Sequence, residues 1–164
     1  MRLAAFSDSH GDEPTLRWAM EQVGRMGKID AFIFLGDGAL DFRACQGLMA
    51  RLNPLALTFQ VRGNNDFFPE DLPMELTHSF HDVKVLMTHG HRYQAKLTHQ
   101  GLLRAARERG CRVCLYGHTH TPFLEEREGI LLMNPGALAF GRGESVGLLD
   151  IGPQGQLTPR LIPL

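Results

Sequence analysis

The sequence predicts one α/β domain in which a parallel half and a more antiparallel half pack together as a two-sheet sandwich. Three observations predict it. From Arg2 to Val61, apolar strand-like runs alternate with helical periodicity, and this β-α-β-α-β order favours a parallel sheet with crossover helices. Beyond Met74, short apolar runs follow one another through tight or glycine-bearing turns, interrupted by a single helical segment. The 164 residues, 43% hydrophobic and 21% charged, fit one core-forming domain over residues 1–164, with no repeat and no evident linker.

Arg2 to Phe6 is an apolar run that ends at Ser7-Asp8. Gly11-Asp12-Glu13-Pro14 opens a helix, with acidic groups and a proline in the first turn. Leu16, Ala19, Met20 and Val23 recur at helical spacing, and Gly24 and Gly27 mark the end. Ala31 to Leu35 is continuously apolar, as in a strand covered on both faces. A second helix is expected over Phe42–Leu52, stopped before Asn53-Pro54, and a third strand over Leu55–Val61. Pro69 to Pro73 reads as a loop. Met74–Phe80 and Val83–Thr88 read as strands joined at His81-Asp82. A helix over Thr98–Arg109 offers Leu102, Leu103, Ala105 and Ala106 to a core, and Gly110 stops it. Strands follow at Arg112–Tyr116, Phe123–Arg127, Ile130–Met133, Ser145–Ile151 and Gln156–Ile162, with Glu128-Gly129 a good hairpin centre.

Seventeen basic and eighteen acidic residues leave a formal net charge of -1. That argues against a membrane partner or a strong nucleic-acid footprint, both of which need a basic surface. No run reaches the ~18 apolar residues of a membrane span, and the N-terminal apolar run is too short for a signal peptide. Three cysteines, an odd number, with no secretory signal point to a cytoplasmic protein. Cys111 and Cys114 match CxxC, but the pair leads into a strand, where side chains three apart face opposite sides, and it offers zinc only half its ligands. Cys45 reads as a small buried apolar residue.

Five short motifs fall where apolar runs give way to loops: Asp8-Ser9-His10, Gly36-Asp37, Gly63-Asn64-Asn65-Asp66, Thr88-His89-Gly90-His91 and Gly117-His118-Thr119-His120. Each alone is a turn, a cap or an exposed histidine pair. Together they are hard to explain as packing, because ligand sites of open α/β sheets collect beyond the carboxyl ends of the strands. Carboxylates, imidazoles and an amide suit Mn²⁺, Fe²⁺, Zn²⁺ or Co²⁺, and the absence of a thiolate argues against a structural zinc. Two such ions about 3.5–4 Å apart can clamp the attacking and leaving oxygens of a phosphoryl displacement. Asp37 is the natural bridge, and a shared hydroxide is the expected nucleophile.

These residues resemble the calcineurin-like metallophosphoesterase superfamily, whose pattern is D-x-H, G-D, G-N-[HCN]-[DE], an isolated histidine and G-H-x-H. The similarity covers nearly the whole chain and extends to Val61-Arg62 and Asn134-Pro135-Gly136; it is strongest to the small YfcE-like bacterial and archaeal phosphodiesterases. The resemblance implies a four-layer α/β/β/α sandwich of two mixed sheets and a two-metal phosphodiesterase. Asp8, His10, Asp37 and His120 would hold one ion, and Asp37, Asn64, His89 and His118 the other. The expected ions are two divalent cations, Mn²⁺ first, with Zn²⁺, Fe²⁺, Ni²⁺ or Co²⁺ as alternatives. The expected partner is a small phosphodiester substrate, and a homo-oligomer is allowed.

The chain departs from many relatives at Asn65, where they carry a histidine able to protonate the leaving group. Asn65 and His91 are therefore the candidate catalytic positions, with His91 the candidate donor or phosphate contact. Asp41 sits one residue beyond the common place of a further acid and is not read as a ligand. Asn134-Pro135-Gly136 shapes a turn near the site, and Arg142 is a candidate phosphate contact. His78, His81 and His99 have no metal-spaced partner. Three other functions compete. A protein-binding scaffold like the retromer subunit of this fold is disfavoured by the intact ligand set. A phosphomonoesterase or protein phosphatase is disfavoured by Asn65 and the small size, and a nuclease by the near-neutral charge.

Overall fold

A computed structural model describes residues 1–68, 71–139 and 145–164. Among the described residues ten strands form two mixed five-stranded sheets. The first sheet has the order β10-β9-β1-β2-β3: β1 is Arg2–Phe6, β2 Ala31–Phe34, β3 Leu57–Gln60, β9 Ser145–Ile151 and β10 Leu157–Pro163. Strands β1, β2 and β3 run parallel, and β9 and β10 are added antiparallel. The second sheet has the order β4-β5-β6-β8-β7: β4 is Glu75–Phe80, β5 Val83–Thr88, β6 Val113–Leu115, β7 Phe123–Arg127 and β8 Ile130–Asn134.

Within that sheet β5, β6 and β8 are parallel, while β4 and β7 flank them antiparallel. The second half of the chain is thus less antiparallel than its hairpins suggest. Helix α4, Gln100–Glu108, crosses between β5 and β6, and β9–β10 return to the first sheet.

Burial sorts the side chains into layers. Leu3, Ile33, Val85, Met87, Leu115 and Met133 belong to the core between the sheets. The alternate residues Phe6, Phe32 and Phe34 pack outward onto the helices of the first sheet with Leu16, Met20, Leu48 and Met49. Leu86, Cys114 and Leu132 pack outward under Leu102, Leu103 and Ala106 of α4. Every central strand is covered on both faces, which is why its sequence is continuously apolar rather than alternating. Fully burying one such Leu or Phe stabilises by about 1.5–3 kcal/mol.

Helix α1, Glu13–Arg25, begins where Asp12 accepts hydrogen bonds from Thr15 N at 3.0 Å and Thr15 Oγ1 at 2.8 Å. The single helix expected over Phe42–Leu52 is two: α2, Ala39–Ala44, and α3, Gln46–Leu52, meeting at Cys45. Gly47 weakens continuity there. The earlier start at Ala39 comes from a cap outside the local sequence, described below. A short 3-10 turn at His91–Tyr93 was not expected. Both residues of the Glu128-Gly129 turn have positive φ, 53° and 74°, as a two-residue hairpin turn requires.

The cysteines are free and buried. Cys111 precedes β6 rather than lying in it, so the strand argument fails: both Cys111 and Cys114 face the cluster under α4. Burial raises both thiol pKa values, the reverse of what a redox-active thiolate needs. Burial likewise pushes Cys45 up to about 11. Among the described residues no helix is long and apolar enough to cross a membrane.

Candidate metal centre

The loops that follow β1, β2 and β3 of one sheet and β5 and β6 of the other carry the expected ligands. Main-chain bonds tie the loops together: Asp8 N to Gly36 O at 3.0 Å, His10 N to Asp37 O at 2.9 Å and Gly117 N to His89 O at 3.1 Å. Two glycines let them approach. A Cβ at Gly63 would lie 2.0 Å from Asp37 Oδ1, and one at Gly117 would lie 1.9 Å from Ser7 Oγ.

The backbone itself is bent to the task. Among the described residues eight non-glycines have positive φ, and five of them are Asp8, His10, Asp37, His118 and His120. Left-handed backbone is unfavourable for residues with a Cβ and persists only when the surroundings over-determine it; it concentrates at functional sites.

Two groups of ligand atoms converge, each within 4.8 Å: Asp8, His10 and His120, and Asp8, Asp37 and His89. Asp8 Oδ1 is buried with no hydrogen-bond partner. Around it stand His120 Nε2 at 3.2 Å, His10 Nε2 at 3.7 Å and His89 Nε2 at 4.0 Å. Its other oxygen is occupied, accepting from Ser7 Oγ at 2.5 Å and His118 N at 3.0 Å. Asp37 Oδ2 is 3.4 Å from His89 Nε2 and 3.8 Å from His10 Nε2, between the two groups.

His89 Nδ1 lies 2.7 Å from the Leu35 carbonyl, which can only accept, so that nitrogen carries the proton and Nε2 faces the site. A buried carboxylate oxygen without a hydrogen bond, ringed by imidazole nitrogens, is an arrangement that a divalent cation satisfies. The residues fit such an ion.

The charges agree. Burial opposes ionisation of Asp8 and Asp37. For Asp8, the neighbouring His10 and His120 imidazoles, the charge of His89 and the Ser7 hydrogen bond outweigh it, and the carboxyl is held well below the usual range. For Asp37, His89 and the two Asn65 donors win, lowering it to about 2. The His10 imidazole is raised by its proximity to Asp8. Burial would lower His89, but Asp37, Asp8 and the Leu35 carbonyl raise it. Two carboxylates held ionised against burial are ready-made cation ligands.

The remaining expected residues lie at the edges of this cluster. Asn64 Oδ1 is 3.1 Å from His89 Nε2. The His118 ring centroid is 5.0 Å from that of His89, and burial, reinforced by His89, lowers its pKa to about 4. The His91 ring lies 5.4 Å from His89 and 6.0 Å from His118, with Nδ1 buried and unpartnered. Asn65 makes two 2.7 Å bonds to Asp37, from its backbone N to Oδ1 and from Nδ2 to Oδ2. Asn65 therefore orients a carboxylate in this structure. Arg142 lies outside the described residues.

Three supports were invisible in the sequence. Asp66 accepts from the backbone N–H of Asp37, Gly38, Ala39 and Gly63 at 2.8–2.9 Å, which locks two ligand loops together and caps α2. Asp41 is a brace, accepting from Ser9 Oγ at 2.6 Å and Gly11 N at 2.9 Å. Ser7 fixes the Asp8 rotamer. The turn role read for Asn134 holds, since its side chain bonds the Gly117 carbonyl at 2.8 Å and the Gly136 N–H at 2.9 Å. His99 pairs with the Tyr116 hydroxyl at 2.8 Å, and His78 packs on Phe59 and Phe80.

A family model for the calcineurin-like phosphoesterase superfamily domain matches residues 1–152. A probable metallophosphoesterase of Bacillus subtilis, YsnB, is 33% identical over 87% of this chain and 78% of its own length. The Escherichia coli phosphodiesterase YfcE is 30% identical over 92% of this chain and 88% of its own. A solved structure described as a novel archaeal phosphodiesterase superposes with a TM-score of 0.75 at 26% identity, covering all of both chains.

Proposed function

The chain belongs to the calcineurin-like phosphoesterase superfamily, and on that premise we propose that it hydrolyses small phosphodiesters with a dinuclear divalent-metal centre. The observation that carries this reading is Asp8 Oδ1, a buried carboxylate oxygen without a hydrogen bond at the junction of two ligand groups. Two divalent cations held there would supply Lewis acidity toward phosphoryl oxygens and would lower the pKa of water to about 7, making a hydroxide nucleophile available.

The chain's own residues do the rest. Asp8, His10, Asp37 and His120 would hold one ion, and Asp37, Asn64, His89 and His118 the other. His118 and Ser7 occupy one Asp8 oxygen and direct the other inward. The Leu35 carbonyl keeps His89 in the tautomer that offers Nε2. Asn65 steadies Asp37 and has no acidic proton, so substrates with good leaving groups are favoured. His91 faces the His89–His118 side, where a proton can be given to a leaving oxygen. The donor set suits Mn²⁺ first, with Zn²⁺, Fe²⁺, Ni²⁺ or Co²⁺ as alternatives. Free thiols suit a cytoplasmic location.

The test compares metal-stripped with Mn²⁺-loaded protein on bis(4-nitrophenyl) phosphate. The loaded protein is expected to turn over and chelation to abolish it. Equal rates in both samples, or no turnover with any divalent ion, overturn the reading.

A further inference from the structure

Beside the metal centre opens a cavity of about 390 Å³ with two unlike walls. His10, Asp37 and Asn65 form one; Leu40, Phe67 and Phe68 line the other. The two phenylalanines are 71% and 67% exposed and Leu40 is 61% exposed. Apolar surface left in water beside a catalytic cluster calls for an occupant.

The geometry says which. The concavity is of small-molecule size, and it shares its wall with the metal ligands, so whatever lies against the rings reaches the reacting phosphorus through one ester arm. Phe67 directly follows Asp66, whose four backbone hydrogen bonds hold the base of the aromatic pair. Among the described residues the lining holds Asp41 and Asp66 and no lysine or arginine, which disfavours a second phosphate and favours an uncharged group.

We propose that Phe67 and Phe68, with Leu40, form the subsite for an uncharged planar ring, aryl or nucleobase, on one ester arm of the substrate. The inference rests on the phosphodiesterase reading and narrows its substrate class to ring-bearing diesters.

Three diesters sharing one leaving group test it: methyl, phenyl and thymidine-5′ 4-nitrophenyl phosphates. Wild type is expected to favour the two ring-bearing diesters over the methyl diester by roughly 5- to 150-fold in kcat/KM, the range typical of one base stacked on an aromatic side chain. In Phe67→Ala/Phe68→Ala that ratio falls toward one, mainly through KM. Phe67→Leu/Phe68→Leu, which keeps the apolar volume, gives an intermediate ratio.

A second readout does not use turnover. NMR titration of the protein with phenyl methylphosphonate and methyl methylphosphonate should show tighter binding of the phenyl ester in wild type only. An unchanged ring preference in the Ala variant overturns the proposal. So does a wild-type dimer that the Ala variant abolishes without changing that preference. If no diester turns over, the hydrolase reading fails, and the titration alone decides whether the rings bind a planar group.

Discussion

Asp66→Asn should be among the most costly single changes that leave every proposed ligand in place. Oδ2 of Asp66 accepts from Asp37 N and Gly63 N at 2.8 Å, and Oδ1 from Gly38 N and Ala39 N at 2.9 Å. The residue is 6% exposed. Asparagine keeps the shape but turns one acceptor oxygen into an NH₂ group facing two N–H donors. Two buried donors lose their partner, at about 1–3 kcal/mol each. The negative charge at the start of α2 is also lost, worth about 0.3–1 kcal/mol. Together these come to about 2–7 kcal/mol, a large share of the roughly 5–15 kcal/mol of a typical domain. The released groups belong to the Asp37 and Gly63 loops, so ion binding should weaken as well. Urea unfolding of metal-free wild type and variant, with Mn²⁺ calorimetry on the same samples, measures both effects. A loss below about 1 kcal/mol with unchanged Mn²⁺ affinity would refute the reasoning.

Asp37→Asn should lower kcat/KM by more than the about 10- to 100-fold typical of a residue that only orients a ligand, whereas Asp41→Asn should stay within that range; two retained ions and near-normal turnover in Asp37→Asn would remove Asp37 as the bridge. Asn65→His should raise rates on poor leaving groups relative to activated ones, since general acid help is worth about 10²–10⁴-fold; a wild type already insensitive to leaving-group pKa, made sensitive by His91→Ala, would assign the proton to His91. Asp150 is held below its usual pKa first by its hydrogen bond to Arg2, then by Arg160. Its contribution is therefore present above about pH 3.9 and lost as pH falls through the lowered value. Asp150→Asn should cost about 0.5–1 kcal/mol at pH 7, discounted for partial exposure, and progressively less as pH falls below about 3.9, as followed by thermal unfolding; an equal cost at all pH values would show that charge is irrelevant there.

The elements legible in the sequence are those whose signals are local. Strands β5, β7 and β9 were expected at their observed bounds because turn residues flank them on both sides. The start of α2 at Ala39 was missed because its cap comes from Asp66, 27 residues along the chain. The parallel pairing of β5, β6 and β8 was hidden because hairpins bracket a crossover helix. At the site the ligand types and their strand-end positions were readable. The left-handed backbone of five candidate ligands, the four-donor clamp of Asp66 and the Asp41 brace were not, because each depends on which groups lie near in space.

Strand β1 lies inside its sheet, bonded to β2 on one edge and β9 on the other, with Arg2 opposite Asp150. This placement sets an order of assembly during translation. Strand β1 waits for β9, made more than a hundred residues later. A nascent chain that has emerged through α4 already carries Asp8, His10, Asp37, Asn64 and His89 while one edge of β1 remains unpaired. Closing so long a loop is slow. Through that interval the chain carries an unpaired strand edge beside part of the candidate ligand set.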